Sequence, residues 1–367
     1  MVGMERGRIR LGTVAGIPVG AHWSVLAIFG LITIILGASI LPGAVPGRSP
    51  IAYWFVAGAG SVIFLGSLLV HELAHALVAL KYGVGVRRIT LWLLGGVAEL
   101  TENPRTPKSD FRIAVVGPLA SLAIAVVALI AAYVAHPWID TLLVAMLIWI
   151  SLVNLIIAVF NMLPGAPLDG GRVLRAFLWK RTGDRERASE MAATAGRFLG
   201  FIFIGLGIMR MGFGQFGGLW LLLIGGFMLM AAHAESEATK LRRRLAGVRV
   251  SDVMSRRFDV APAWWPVEQV LANTTTGHRV VPVVSATGTP VGVVNIADLA
   301  RLDPHVRMRA TIADVSRPLP ADAIVGVADE LVDVLNRIED VDAIFVVDRG
   351  AVVGVLTSEQ LFGRPGL

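Results

Sequence analysis

The residues of this 367-residue chain best suited to chemistry fall within five positions, His71-Glu-Leu-Ala-His75. On a helix, positions four apart share a face, so both imidazoles address one point and Glu72 lies beside them. Two neutral imidazoles suit a zinc ion. A carboxylate next to such an ion is placed to take a proton from the water that the ion activates. The segment around them, from Ala52 to Tyr82, is mostly apolar. Two histidines and a glutamate in such a segment are expensive in lipid unless they are paired or put to use.

A catalytic zinc takes three protein ligands and keeps one position open. The chain has no cysteine, which excludes disulfides, thiolate catalysis and thiolate-held metals. The third donor is therefore nitrogen or oxygen. Among the other histidines, His22 and His233 stand at the ends of apolar segments, His136 lies in a loop on the far side, and His278 and His305 belong to the polar C-terminal part. A better candidate is Asp169, within Asn161-Met-Leu-Pro-Gly-Ala-Pro-Leu-Asp-Gly-Gly171. Pro164, Pro167, Gly170 and Gly171 rule out an unbroken helix there. Broken backbone at membrane depth is tolerated only against protein or a watery cavity. Read alone, Asp169 also serves as a cap for the helix that opens near Arg172.

The elements that must position these residues are membrane helices. Hydrophobic residues make up 55% of the chain and charged residues 16%, and the mean hydropathy is +0.70. The expected fold is a polytopic α-helical membrane protein followed by a soluble α/β part. Apolar segments run from Ile17 to Leu41, Ala52 to Tyr82, Phe111 to Ala135, Thr141 to Asn161, Phe198 to Met211 and Gly217 to His233. Most reach the roughly 20 residues needed to cross a bilayer. The fifth is short, which leaves the count between five and six. Arg6, Arg8 and Arg10, then Arg87, Arg88, Arg105 and Lys108, then Lys180, Arg181, Arg185 and Arg187, then Arg242 to Arg244 all fall on one side. By the positive-inside rule that side is the cytoplasm and holds both termini. The net charge of +6 is thus explained by membrane flanks, and no nucleic-acid partner is expected. A strand, Gly95-Gly96 and a second strand between Val84 and Thr101 read as a membrane-associated β-hairpin, either a packed cap or an edge for an extended substrate.

After Val248 the pattern repeats. Val250-Ser-Asp-Val-Met254 is echoed by Ile312-Ala-Asp-Val-Ser316, and Asn295-Ile-Ala-Asp-Leu299 by Thr357-Ser-Glu-Gln-Leu361. A near-constant offset marks a duplicated unit. The expected domains are 1–238 for the membrane part, 239–248 as linker, and 249–308 and 309–367 as the two halves. Trp264-Trp265 reads as core more readily than as interface.

These motifs carry a resemblance. His71-Glu-Leu-Ala-His75, Gly117-Pro-Leu-Ala-Ser121 and Asn161 through Gly171 resemble the site-2 protease family of intramembrane zinc metalloproteases, in the subgroup with a C-terminal tandem CBS pair. The resemblance spans nearly the whole chain. It implies that His71, His75 and Asp169 bind one zinc ion, and that Glu72 is general base and acid. Asn161 would hold the substrate carbonyl or its oxyanion. Substrates would be single-span membrane proteins such as anti-sigma factors, cut in regulated intramembrane proteolysis in the bacterial plasma membrane, with the bilayer as the working environment. The CBS pair would modulate activity, form a homodimer, and offer an adenine-nucleotide site with Asp298 on the ribose. The sequence departs from the family's ribose element, since Asn295-x-x-Asp298 and Thr357-x-x-Gln360 each match it only in part. Two other readings stay open on sequence: a CBS-regulated transporter, and a catalytically inactive membrane adaptor.

Overall fold

The structure is a computed structural model that describes residues 8–92, 95–275, 278–320, 323–338 and 343–356. It opens with strands β1 (Arg8–Val14) and β2 (Ile17–His22). Ala15 and Gly16 join them, both with positive φ, 51° and 81°. That is what a two-residue hairpin turn of matching twist requires. The first apolar segment therefore does not begin a span at Ile17. Ile17, Val19, Gly20 and Ala21 are buried, and an apolar run of that length does not distinguish strand from helix by hydropathy alone.

The first span begins at Val25 and runs to Ala44. It comprises α1 (Val25–Ile35), a π turn (Leu36–Ile40) and α2 (Leu41–Ala44). Helix α3 (Pro50–Lys81) follows, capped by Ser49, whose hydroxyl accepts from Ala52 N. Strands β3 (Val86–Trp92) and β4 (Gly95–Leu100) complete a four-stranded sheet in the order β1-β2-β3-β4, with β2 and β3 parallel. Gly95 and Gly96 are not the turn of this hairpin. They begin β4, opposite Trp92 and Leu91. Residues 93–94, which join the strands, lie outside the described residues. The sheet packs Ile17 and Ile89 against Ala76 of α3, one position beyond the second histidine.

Helix α4 (Pro107–Ala135) starts in a capping box made by Thr106 and Ser109, and α5 (Thr141–Asn161) is capped by Asp140. The chain then breaks. It resumes as the short α6 (Asp169–Thr182), which Gly183 ends in the left-handed conformation. Helices α7 (Arg185–Gly212) and α8 (Gly218–Leu245) complete the membrane part. Among the described residues, six helical segments are long and apolar enough to cross a bilayer. The fifth is twice the length its apolar run suggested, because an amphipathic stretch from Arg185 extends it. The expected linker at 239–248 is largely helical: α8 continues through Ala, Glu, Lys, Leu and Arg, all strong helix formers.

Because α6 is too short to be fixed by the bilayer, side chains hold it. Asp110 of α4 has no exposed surface. It accepts two hydrogen bonds from the Arg175 guanidinium, at 2.8 and 2.9 Å. Arg172 stands 3.7 Å from the same carboxylate, and Arg175 stands 3.7 Å from Glu235 of α8. The loop before α6 lies directly on α7: Ala166 N donates to Ala192 O at 3.1 Å. A Cβ on Gly165 would fall 2.6 Å from Gly196 Cα, so both positions need glycine.

Two compact units are formed, Met1–Thr239 and Lys240–Leu367. Within the second, α9 (Val250–Val253), β5 (Ala261–Pro262), α10 (Val267–Asn273), β6 (Val280–Val284), β7 (Pro290–Asn295), α11 (Ile296–Ala300) and α12 (Pro304–Arg309) come from the first repeat. Helix α13 (Ile312–Val315), β8 (Ile324–Gly326), α14 (Leu331–Ile338), β9 (Ile344–Asp348) and β10 (Ala351–Leu356) come from the second. The repeats exchange their leading helices. Val250 is buried with Val325, Leu331 and Ile344 of the second repeat, while Ile312 is buried with Val267, Val281 and Leu299 of the first. Hydrogen bonds from the Thr311 side chain and N–H hold the Asp314 carboxyl, in the first turn of α13, below its ordinary value. Trp265 packs against the first core, whereas Trp264 is exposed.

The Asp110–Arg175 pair predicts a stability effect. Arg175→Met leaves Asp110 charged and buried with only Arg172 nearby, and should lower stability by about 3–5 kcal/mol. The double change Asp110→Leu/Arg175→Met should recover most of that loss. Denaturant unfolding in detergent checks both.

Candidate metal centre and active site

His71 and His75 project from the C-terminal third of α3, and the N-terminus of α6 brings Asp169 to them. His71 Nε2, His75 Nε2 and Asp169 Oδ2 form a triangle with all three sides 3.2 Å. Both imidazoles are buried. A tetrahedral ion with bonds of about 2.0 Å sets its ligands about 3.3 Å apart, so the triangle matches one face of a zinc tetrahedron. The three residues are a group that could hold a metal ion.

The outer nitrogens say which atoms face inward. His75 Nδ1 lies 2.5 Å from the Ile113 carbonyl oxygen, which can only accept. Nδ1 therefore carries the proton, and in neutral His75 the Nε2 presents a lone pair. That lone pair faces a carboxylate oxygen and the second imidazole. With His71 Nε2 also unprotonated, three acceptors aimed at one another would repel unless a cation stood among them. His71 Nδ1 is held by Ser121 Oγ at 2.9 Å. Partners of this kind on the outer nitrogens orient the rings of metal-binding histidines.

Gly117 supplies the space. A Cβ built there would fall 2.7 Å from His71 Nε2 and would also collide with His75 Nε2. Any side chain at this position would fill the pocket that the ligands address. Pro118, next along α4, removes the N–H that would bond Ala114 O and loosens the turn from which Ile113 turns its carbonyl toward His75. Asp110, Ile113, Gly117 and Ser121 thus form one stripe along α4, at spacings of three and four. One face of one helix anchors α6, orients both imidazoles and leaves room for the ion. Only Gly117 and Ser121 stood out in the sequence, as part of a motif. The stripe's spacing was the available signal for the rest, but it is hidden in a helix apolar on all sides.

Glu72 lies beside the triangle, partly buried. Its Cδ would be 2.9 Å from a Cβ on Gly96, so the glycine at the start of β4 lets the sheet edge close against this carboxylate. Asn161 is the last residue of α5, partly exposed, at the start of the break. Of the other sequence candidates, His22 bonds Ser24 and stands outside the triangle. Asp298 lies in the first turn of α11 and pairs with Arg317 at 3.1 Å. Asn295 caps the same helix through Ala297 N at 2.9 Å. Thr357 and Gln360 lie outside the described residues.

With this geometry in place, comparison with known proteins decides the family. The model for peptidase family M50 matches residues 59–140 and 135–203, and the CBS domain model matches residues 250–305. Rip3 of Mycobacterium tuberculosis, which carries the name of a zinc metalloprotease, is 40% identical over 363 residues, 97% of this chain and 92% of its own. The chain belongs to peptidase family M50, the site-2 protease family. A zinc metalloprotease of Methanocaldococcus jannaschii is 27% identical over 96% of the chain and 94% of its own length. Among solved structures, the site-2 protease of that organism is 31% identical over 62% of this chain and 95% of its own, with a TM-score of 0.44. The M50 chain is thus a multi-pass metalloprotease-family membrane protein with a CBS region, and zinc is the metal that its family implies. The donor set and the Gly117 pocket fit that ion.

For this M50 chain, replacing Asp169 or His75 by Ala should reduce bound zinc from about one per chain to near zero. Gly117→Ala should do the same while leaving all three ligands in place. Metal analysis of the purified proteins reads both.

Proposed function

We propose that this protein is an intramembrane endopeptidase that hydrolyses peptide bonds within or near the transmembrane segments of single-span regulatory proteins, of the anti-sigma-factor kind. The observation that carries the reading is the 3.2 Å triangle of His71, His75 and Asp169 with Glu72 at its side. His71 lies ten residues from the end of α3 at Lys81, which is about 15 Å along the helix axis. The site thus lies within the length of the span rather than at its end.

Zinc, when bound, supplies Lewis acidity at this point. The chain's own residues do the rest. His71, His75 and Asp169 would hold the ion, with Glu72 beside them. Glu72 takes a proton from the attacking water and delivers it to the departing amine. Asn161, at the break after α5, donates its amide to the carbonyl oxygen as negative charge gathers there. An α-helical substrate shields its peptide bonds, so the segment must unwind first. β4 is an edge strand of the sheet and adjoins Glu72, which supports its pairing with the unwound segment.

The remaining assignments belong to the same proposal. Both termini lie in the cytoplasm, as the distribution of Arg and Lys supports, and the membrane is the bacterial plasma membrane. The CBS pair modulates the protease, mediates a homodimer and binds an adenine nucleotide. In that role Asp298 must exchange its bond to Arg317 for the ribose.

Glu72→Gln should keep zinc at about one per chain but slow cleavage of a model single-span substrate by about 100-fold or more. It should also retain uncut substrate in membranes. Undiminished cleavage by this variant would refute the protease reading.

A further inference from the structure

Asn154 lies on α5, two turns before Asn161, and none of its surface is exposed. Its Nδ2 donates to the Ile150 carbonyl at 2.9 Å. That bond fixes the amide's orientation, because a flipped amide would set two acceptors together. Its Oδ1 is then buried without a hydrogen-bond donor. Lipid tails carry no donors, and complete enclosure keeps substrate away. The partner must come from inside the bundle.

A matching donor lies on α4. With Nε2 turned to a bound ion, His71 would carry its proton on Nδ1 and donate it to Ser121 Oγ, 2.9 Å away. Having accepted there, the Ser121 hydroxyl still has its own proton to place, and Ser121 is 1% exposed. Helices α4 and α5 are antiparallel neighbours joined by a short turn. Ser151 Oγ donates to Ala125 O at 2.8 Å and sets their register. One turn onward along α5 is Asn154, and one turn back along α4 is Ser121. By that register Ser121 and Asn154 stand at one level of the two helices, and the hydroxyl that accepts from His71 would have a proton for the buried Asn154 Oδ1.

We propose that Asn154 is a positioning residue that ends a hydrogen-bond chain from His71 through Ser121 and one bridging water, holding His71 in the tautomer that presents Nε2 to the metal. A buried polar gap of this kind is where ordered water is found. The chain fixes a ligand's tautomer and orientation from two residues away, as partners outside the ligand set do in other metal sites. It rests on the reading of His71 as a metal ligand.

The test is a cobalt titration of the full-length protein in detergent, followed by the visible absorption of the bound ion. Asn154→Thr and Asn154→Val are nearly equal in size, but only Thr keeps an acceptor. Thr should hold cobalt within about threefold of the native protein, whereas Val should lose roughly 10- to 100-fold and shift the band. Ser121→Ala should lose a similar factor, and Ser121→Ala/Asn154→Val no more than the larger single loss, because the chain is already cut. Equal affinities in Thr and Val, or losses that multiply, would overturn the proposal. Native cobalt affinity in His71→Ala would instead remove the ligand assignment and this proposal with it.

Discussion

Two imidazole nitrogens and a carboxylate oxygen converge on one point inside a lipid-embedded bundle, where their unprotonated lone pairs would repel. The outer nitrogen of His75 is committed to a carbonyl, so its inner nitrogen has nothing to donate. A cation resolves the conflict, and much of the nearby structure makes sense as a means of keeping the three atoms where a cation can. The broken chain after α5 exists to bring in a carboxylate from a direction no continuous span supplies. The bidentate Asp110–Arg175 pair holds the resulting short helix in place.

Helix α4 is the scaffold of the site although it contributes no ligand. Its stripe of Asp110, Ile113, Gly117 and Ser121 touches both ligand-bearing helices. The inferred extension to Asn154 would carry the same logic across to α5. The outer contacts of the two histidines differ in kind. His75 meets a main-chain carbonyl, which can only accept. His71 meets a hydroxyl, which accepts and donates and so depends on what lies beyond it. The orientation of His71 is therefore the more sensitive to side chains outside the ligand set.

The C-terminal unit is built on a different principle. Each repeat lends its leading helix to the core of the other, so neither closes its core alone. Such exchange explains why a sequence division into consecutive halves, though it follows the repeat, does not follow the packing.

The three residues that the structure brings together, His71, His75 and Asp169, stood out in the sequence because their chemistry is local. Two histidines four apart on a helix and a carboxylate on a proline-glycine break have few other uses in lipid. The spans were legible for the same reason, apart from their ends. Hydropathy reports transfer into an apolar medium and not the backbone geometry adopted there, so β2 was read as the start of a helix and Gly95-Gly96 as a turn. Tertiary structure alone decided that the three ligands stand 3.2 Å apart, that Gly117 leaves the ion its room, and that Asp110 and Asn154 matter. Those facts depend on which faces of apolar helices meet, and a helix that is apolar on every side gives no periodic signal of the face it will bury.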